Sequence, residues 1–492
     1  MLFDALLNKK KYLARLCWVI VFAALPWILM SLLSYWYFDG SIIDLSPLWS
    51  DELSYWHESL SFSQKGFNFG YYTFYEELPN LFSFGTHGIG TISVYAFFAN
   101  FFGPQYYLIP VANAMLLSFS FIYIVLMEKD KKKLIMIFLF ISTFTPLLLY
   151  INSSMSEILN YSLMLIYVLL MSCYSKKESR YCFFLLLMYV TIMAFVRVYY
   201  VLLFIPILYL RIKSFSFKFW GLMLLLLIYA AVLYYIVSLF VSPYPFGYLT
   251  DLFNEDSISA FMNSLCCHFC NNLGRFFLFS SSGVENLQRY YYFIIMVSSF
   301  GYWYYSGKVK RMYFIIFGIM FLFMNTVVCF YDVFDWRDFR TLSPILLSCV
   351  VFFIIECKNK KVLNYVFLLC VVANVFVFIR MNKTNVYYET NKDRYIDVEN
   401  CDLSQFVKYR NGLTKYDNTI LVTSFDRNLL LSIPIGLGIT FVDEISDKYM
   451  SKYACSDKKI NLNTYQLLGL LDCGYYLYKK KEILYNGVPE KY

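Results

Sequence analysis

Apolar runs of membrane-crossing length recur along most of the chain, each bounded by polar or basic residues. The pattern predicts membrane helices at residues 16–38, 106–127, 134–150, 158–174, 183–196, 198–210, 219–241, 288–305, 312–330, 341–356 and 362–380, eleven in all. Basic clusters fall at Lys9–Lys11, Lys129–Lys133, Lys176–Arg180, Arg211–Lys218, Lys308–Arg311 and Lys358–Lys361. If each is cytoplasmic, an even number of crossings must separate successive clusters, with the N-terminus inside and the tail outside. Residues 183–210 then form a hairpin whose arms reach roughly 20 Å at 1.5 Å per residue, with Arg197 at its outer tip. Residues 88–102 are apolar but short, and a crossing there would invert every later loop. They are expected to lie as a helix in the outer interface.

After residue 380 the pattern changes. The tail is polar, with strand-like segments TILVTSF (419–425), GITFVDEI (438–445) and GYYLYKKKEILY (474–485), and with LLLSIPIG and TYQLLGLL as short helices. The expected fold class is an all-α polytopic membrane protein of about eleven transmembrane helices with a small C-terminal α/β extracytoplasmic domain. The domains are residues 1–380, whose first outer loop is 39–105, and residues 381–492.

Composition agrees with this picture. The chain is 59% hydrophobic with mean hydropathy +0.53, which excludes an ordinary soluble protein. Its 47 Tyr and 50 Phe suit apolar spans with interfacial aromatic belts. The net charge of +8 sits in the clusters between spans, so it reads as membrane sidedness rather than nucleic-acid binding. The basic start followed by an apolar run, with no small-residue cleavage site, reads as a retained anchor. Most cysteines lie in apolar runs and show no disulfide-framework spacing. The cluster CCHFC (266–270) is too crowded for a tetrahedral zinc site. No glycine-rich nucleotide loop or Walker-type lysine occurs.

The candidate chemistry is on the predicted outer face. PLWSDELSYWHESL (47–60) places Asp51 and Glu52 side by side after the first span, followed by Tyr55 and Trp56. Their bland reading is a helix start, where acids complement the macrodipole and Ser50 supplies a cap. His87 lies in a glycine-flanked turn before the interfacial helix. Glu157 is the sole acid of a short loop between two apolar spans, where desolvation needs a reason. Arg197 and Arg340 mark a hairpin tip and the start of a late span. Carboxylates near an outer mouth can take a proton from a hydroxyl, and arginines can neutralise a phosphate leaving group.

In this layout residues 1–360 resemble the GT-C superfamily of polyprenyl-phosphate-dependent glycosyltransferases. The branch that includes bacterial aminoarabinose transferase and the protein O-mannosyltransferases is the most similar. Those enzymes carry DExxYW after the first span, matched here by SDELSYW. They then have a His-Pro-Pro-Leu type turn before a helix ending in Phe-Gly. THGIGTISVYAFFANFFG keeps His87 but has Gly88 and Ile89 in place of the prolines. Glu157 in SSMSEILN resembles the family's second acidic position, Arg197 its later basic position, and Arg340 with Pro344 in RTLSP its late-span motif without the aromatic. The resemblance implies attack by an acceptor hydroxyl on the anomeric carbon of a lipid-linked sugar, with inversion. Asp51 would be the base, and Glu52 and Glu157 its catalytic companions. Tyr55, Trp56 and His87 would bind substrates, and Arg197 and Arg340 the lipid phosphate. Glu52, His87 and Glu157 could also position a divalent metal, and metal dependence stays open. The implied partners are a polyprenyl-phosphate-linked sugar donor, a glycan or lipid acceptor, and membrane lipid, at the bacterial inner membrane. The alternatives are an O-antigen-type polymerase or ligase, which relies on arginines in large outer loops, and a lipid-linked glycan flippase, which needs paired charges near mid-membrane.

Overall fold

The computed structural model describes residues 2–67, 70–78, 84–85, 87–212, 214, 216–243, 251–252, 254–277, 294, 339–399, 401, 403–410, 414 and 416–481; side chains of residues 2–11, 272–277 and 339–342 are outside that description. The predicted spans 288–305, apart from residue 294, and 312–330 therefore lie outside the described residues, as does most of the acidic loop YDVFDWRDFR.

In chain order the described elements are α1 (Leu2–Phe38), α2 (Ser50–Lys65), β1 (Tyr72–Phe74), α3 (Gly88–Phe102), α4 (Leu108–Met127), α5 (Lys131–Thr143), α6 (Thr145–Tyr150), α7 (Glu157–Lys177), α8 (Arg180–Val196), α9 (Phe204–Ile212) and α10 (Phe217–Phe240). Then follow α11 (Ile258–Phe277), α12 (Phe339–Glu356), α13 (Lys360–Lys383), α14 (Val386–Asn391), β2 (Thr419–Val422), α15 (Arg427–Ser432), β3 (Gly438–Phe441), β4 (Tyr453–Ser456), β5 (Tyr465–Leu470) and β6 (Tyr476–Lys480).

The chain divides into two compact units. The first comprises 1–43, 110–233 and 246–393; the second comprises 44–109, 234–245 and 394–492. The second unit is not the tail alone. It takes in the loop after α1, which the sequence reading assigned to the membrane part.

The first unit is helical. Among the described residues five helices are long and apolar enough to cross a membrane: Tyr12–Phe38, Leu108–Met127, Glu157–Lys177, Phe217–Phe240 and Lys360–Lys383. Eleven spans are not what the described helices provide. Arg180–Val196, Val198–Ile212 and Ser343–Glu356 are apolar but shorter. The predicted span 134–150 is two helices, because Phe144 is extended (ψ 97°) and Pro146, at the second position of α6, has no N–H to continue the ladder. The predicted hairpin 183–210 is present. Its turn is Arg197, in extended conformation between α8 and a 3₁₀ turn over Val198–Leu203. The expected loop 242–287 contains the 20-residue helix α11. α13 starts at Asn359, whose side chain accepts from the N–H groups of Lys361 and Val362. Two charged anchors tie helix ends: Lys176 pairs with the buried Glu356 at 2.7 Å, and Arg15 donates to Val125 O at 3.2 Å.

The second unit is α/β. Its six-stranded sheet has the order β1-β3-β2-β4-β6-β5. β1, β3, β2 and β4 are parallel, and β4, β6 and β5 are antiparallel. Every residue of β2 (TILV) and β3 (GITF) is buried, as expected of parallel strands covered on both faces. One face packs Leu421, Val442, Ile445, Tyr449, Ala454, Tyr465 and Tyr478 together. The loop after α1 adds β1, whose Tyr72 pairs with Ile439. TYQLLGLL, expected as a helix, is the edge strand β5. The leucines favour a helix locally, but β6 offers a ladder partner through the turn at Gly474, and a bulge at Leu467/Gly469 absorbs the mismatch.

Cys401 and Cys473 are bonded in a disulfide across this unit, a pairing the spacing did not suggest. Removing a cross-link that closes 72 residues is expected to cost about 4 kcal/mol on the chain-entropy account. Cys401→Ser/Cys473→Ser should accordingly raise hydrogen exchange across β2–β6 in the full-length protein. Unchanged protection there would show that the sheet does not depend on the bridge.

Candidate functional site

The α/β unit assembles the acidic segment. α2 begins immediately after Trp49. Glu52, at the third helical position, reaches back so that its Oε2 accepts from Leu48 N–H at 2.8 Å and Trp49 N–H at 3.2 Å, the acidic half of a capping box. The same oxygen is held by Arg394. Both side chains are completely buried, and the Arg394 guanidinium also lies 4.7 Å over the Trp49 ring. Glu52 therefore fixes the start of α2. Arg394 lies 342 residues away in an ordinary polar stretch, where no local sequence signal marks it.

Asp51 points elsewhere. It is 31% exposed, and its carboxylate lies 3.8 Å from His87 Nε2. Tyr55 follows one helical turn later, on the same face; its ring centre is 4.4 Å from that of His87 and 6.3 Å from that of Tyr95. His87 sits at the N-cap position of α3. Gly88 then has φ +72°, and a Cβ there would come within 3.1 Å of Val241, so glycine suits this left-handed position. Asp51, Tyr55 and His87 are thus brought together, with the Asp51 side chain partly exposed. This arrangement can accept a proton from a bound hydroxyl. Tyr55 and Trp56, both expected to bind substrate, are buried; the Trp56 indole N–H donates to Gln105 O at 3.0 Å and its ring packs on Tyr106. Trp56 ties α2 to the chain after α3.

Two residues beside the acidic pair are buried and titratable. His57 Nε2 lies 2.7 Å from Leu437 O, and burial pushes its pKa down to about 4 against the opposing effect of that bond. Glu58 accepts from Ser54 Oγ at 3.1 Å and Tyr72 N–H at 3.0 Å. Burial nevertheless pushes its pKa up to about 8. Gly85 makes room for this carboxyl: a Cβ there would lie 2.0 Å from Glu58 Oε1 and 2.6 Å from Tyr72 O. Glu58 has its pKa raised, so its contribution to stability is complete below about 4.5 and is lost as pH rises through about 8. For His57, lowered from 6.5, the contribution is complete above 6.5 and is lost as pH falls through about 4. Glu58→Gln is expected to remove the alkaline loss, on the order of 4 kcal/mol. Hydrogen exchange in α2 and β1 between pH 5 and pH 9 checks this. Equal alkaline loosening in wild type and Glu58→Gln would contradict it.

The helical unit holds a second cluster. The INSSMS segment between α6 and α7 is buried throughout, and Glu157 opens α7 at 2% exposure. Arg197, at the hairpin turn, places Nη2 at 3.3 Å from Glu157 Oε1 and donates to Ser156 Oγ at 3.1 Å; Nη1 donates to Tyr199 OH at 3.0 Å. Asn160 Oδ1 accepts from Tyr200 OH at 2.8 Å. A carboxylate and a guanidinium 40 residues apart thus share one polar pocket in an apolar bundle, as buried charges require. The Arg197 side chain is 21% exposed. Arg340 lies in the first turn of α12, with its side chain outside the described residues.

A divalent metal held through Glu52 does not fit this chemistry, because the Arg394 guanidinium already neutralises that carboxylate in a buried pair. Among the described residues no three His, Cys, Asp or Glu side chains group as metal ligands. No protein-family model matches the chain, and no curated protein matches it significantly.

Proposed function

We propose that the protein is a membrane glycosyltransferase of the GT-C type, which moves a sugar from a polyprenyl-phosphate-linked donor to an acceptor hydroxyl of a cell-envelope glycan or lipid. The observation that carries this reading is Asp51, a partly exposed side chain at the start of α2, 3.8 Å from His87 and one turn from Tyr55. Its neighbour Glu52 is committed to Arg394, so the two acids have different duties, and Asp51 is the one able to meet a substrate. In the proposed step Asp51 takes the acceptor's proton. The acceptor oxygen forms a bond to the anomeric carbon from the face opposite the leaving group. The bond from that carbon to the phosphate oxygen breaks, and the lipid phosphate leaves with the electron pair. Arg197 and Arg340 are the positions the resemblance assigns to the lipid phosphate, whose charge a guanidinium neutralises.

The Cys401–Cys473 disulfide supports an extracytoplasmic place for the α/β unit, since such bonds persist in oxidising compartments. It accords with reading the basic clusters as cytoplasmic. The flippase alternative calls for paired charges near mid-membrane, whereas the Glu157–Arg197 pair lies at the expected outer ends of its helices. The two readings divide on the product. In a deletion strain, complementation with Glu157→Gln or Arg197→Ala at matched expression is expected to leave the surface glycan one sugar short. Whole lipid-linked glycan retained on the inner leaflet would favour the flippase instead.

A further inference from the structure

The parallel part of the sheet carries a second surface, at the carboxyl ends of its strands. From β2 the chain moves through α15 to β3 on one side. From β3 it crosses to β4 on the other side of β2. The connections after β2 and β4 therefore run in opposite directions. In open α/β sheets such a switch point opens a crevice at the carboxyl ends of the strands, where ligands bind.

The residues at that edge have a definite chemistry. Phe74 ends β1, Phe441 ends β3, and Phe425 lies three residues past β2. The Phe425 and Phe441 rings are stacked, 3.8 Å between centres and 12° from parallel, and Phe74 lies 5.7 Å from Phe441. Phe441 is 4% exposed, whereas Phe425 is 50% exposed, so a buried ring supports an open one. Beside them the strand ends supply oxygen ligands. Thr423 Oγ1 donates to Asp457 Oδ1 at 3.4 Å, joining the segments after β2 and β4. Ser424 is hydrogen-bonded to Tyr475. Asp443 accepts from Tyr75 OH at 2.8 Å.

An open aromatic face next to carboxylates and hydroxyls matches a sugar ring, whose C–H face packs on an arene while its hydroxyls donate to carboxylates. The same edge is wrong for phosphate. The segment after β2 reads TSFDRN, with no glycine. Asp426 itself caps α15, accepting from Leu429 N–H at 2.8 Å, and Asp457 adds a second negative charge. We propose that this edge is a saccharide-binding surface for a neutral glycan, with Phe425 as the stacking platform and Asp457 as a hydroxyl acceptor. It goes beyond the transfer reading, because binding here needs neither a sugar donor nor Asp51.

The test is retention of the full-length protein, in a detergent without a sugar headgroup, on an array of neutral and acidic oligosaccharides. Wild type is expected to be retained on neutral glycans. Phe425→Ala should weaken retention at least tenfold, Phe425→Trp should preserve it, and Asp457→Asn should weaken it severalfold. Unchanged hydrogen exchange across β2–β4 would establish that the variants keep the sheet. The proposal is overturned if no neutral glycan retains wild type, if Phe425→Ala is retained equally, or if inorganic phosphate competes where free hexose does not. Because the array contains no lipid-linked donor, failure here is separate from failure of the transfer reading.

Discussion

Arg394→Ala is expected to destabilise the α/β unit by about 3–5 kcal/mol, the usual consequence of stranding one partner of a buried ion pair. Glu52 is completely buried with Arg394, and without the guanidinium its carboxylate would keep only the N–H groups of Leu48 and Trp49. The loss should appear first at the start of α2, as faster hydrogen exchange around residues 48–55. It should therefore disturb Asp51 without touching it. Glu52→Gln/Arg394→Met together should recover much of the stability, because neither charge then remains buried alone. If Arg394→Ala left the α2 amides as protected as in wild type, the anchoring role given to Glu52 would be wrong.

The α/β unit also marks where the sequence was and was not readable. Strands β2 and β3 stand out because short β-branched and aromatic runs are bounded by turn residues. α3 was legible as an apolar helix from its glycine-bounded run, and the 183–210 hairpin from the basic clusters at both ends. β1 was not legible: three residues in an aromatic-rich loop become a strand only because β3 offers its edge. β5 was misread for the related reason that ladder pairing outweighs leucine's helix propensity. The site divides the same way. Asp51, Tyr55 and His87 could be singled out from motif spacing, and the fold brings them together. Trp56 came from the same motif, yet its indole is engaged with Gln105. Glu157 and Arg197 each stand out as charges in apolar surroundings, but their pairing depends on how α7 meets the hairpin turn. The Arg394 partnership and the Cys401–Cys473 bond join distant positions, and no local pattern encodes either.

The second large effect concerns Asp51. If it is the base, Asp51→Asn removes the proton acceptor while keeping the side chain's size, and transfer should fall by about 10²–10⁴-fold. Folding should be untouched, since Asp51 is partly exposed and α2 is capped by Glu52 rather than by Asp51. Asp51→Glu is expected to retain part of the activity, because a carboxylate remains near His87. His87→Ala should weaken activity less than Asp51→Asn, as His87 assists the carboxylate and does not itself take the proton in the proposed step.

The most direct measurement is mass spectrometry of the polyprenyl-lipid fraction and the surface glycan from a deletion strain complemented with wild type or Asp51→Asn at equal membrane levels. Asp51→Asn cells are expected to accumulate the lipid-linked sugar donor and carry a glycan shorter by one sugar. Full-length glycan with no donor accumulation in Asp51→Asn cells would contradict it.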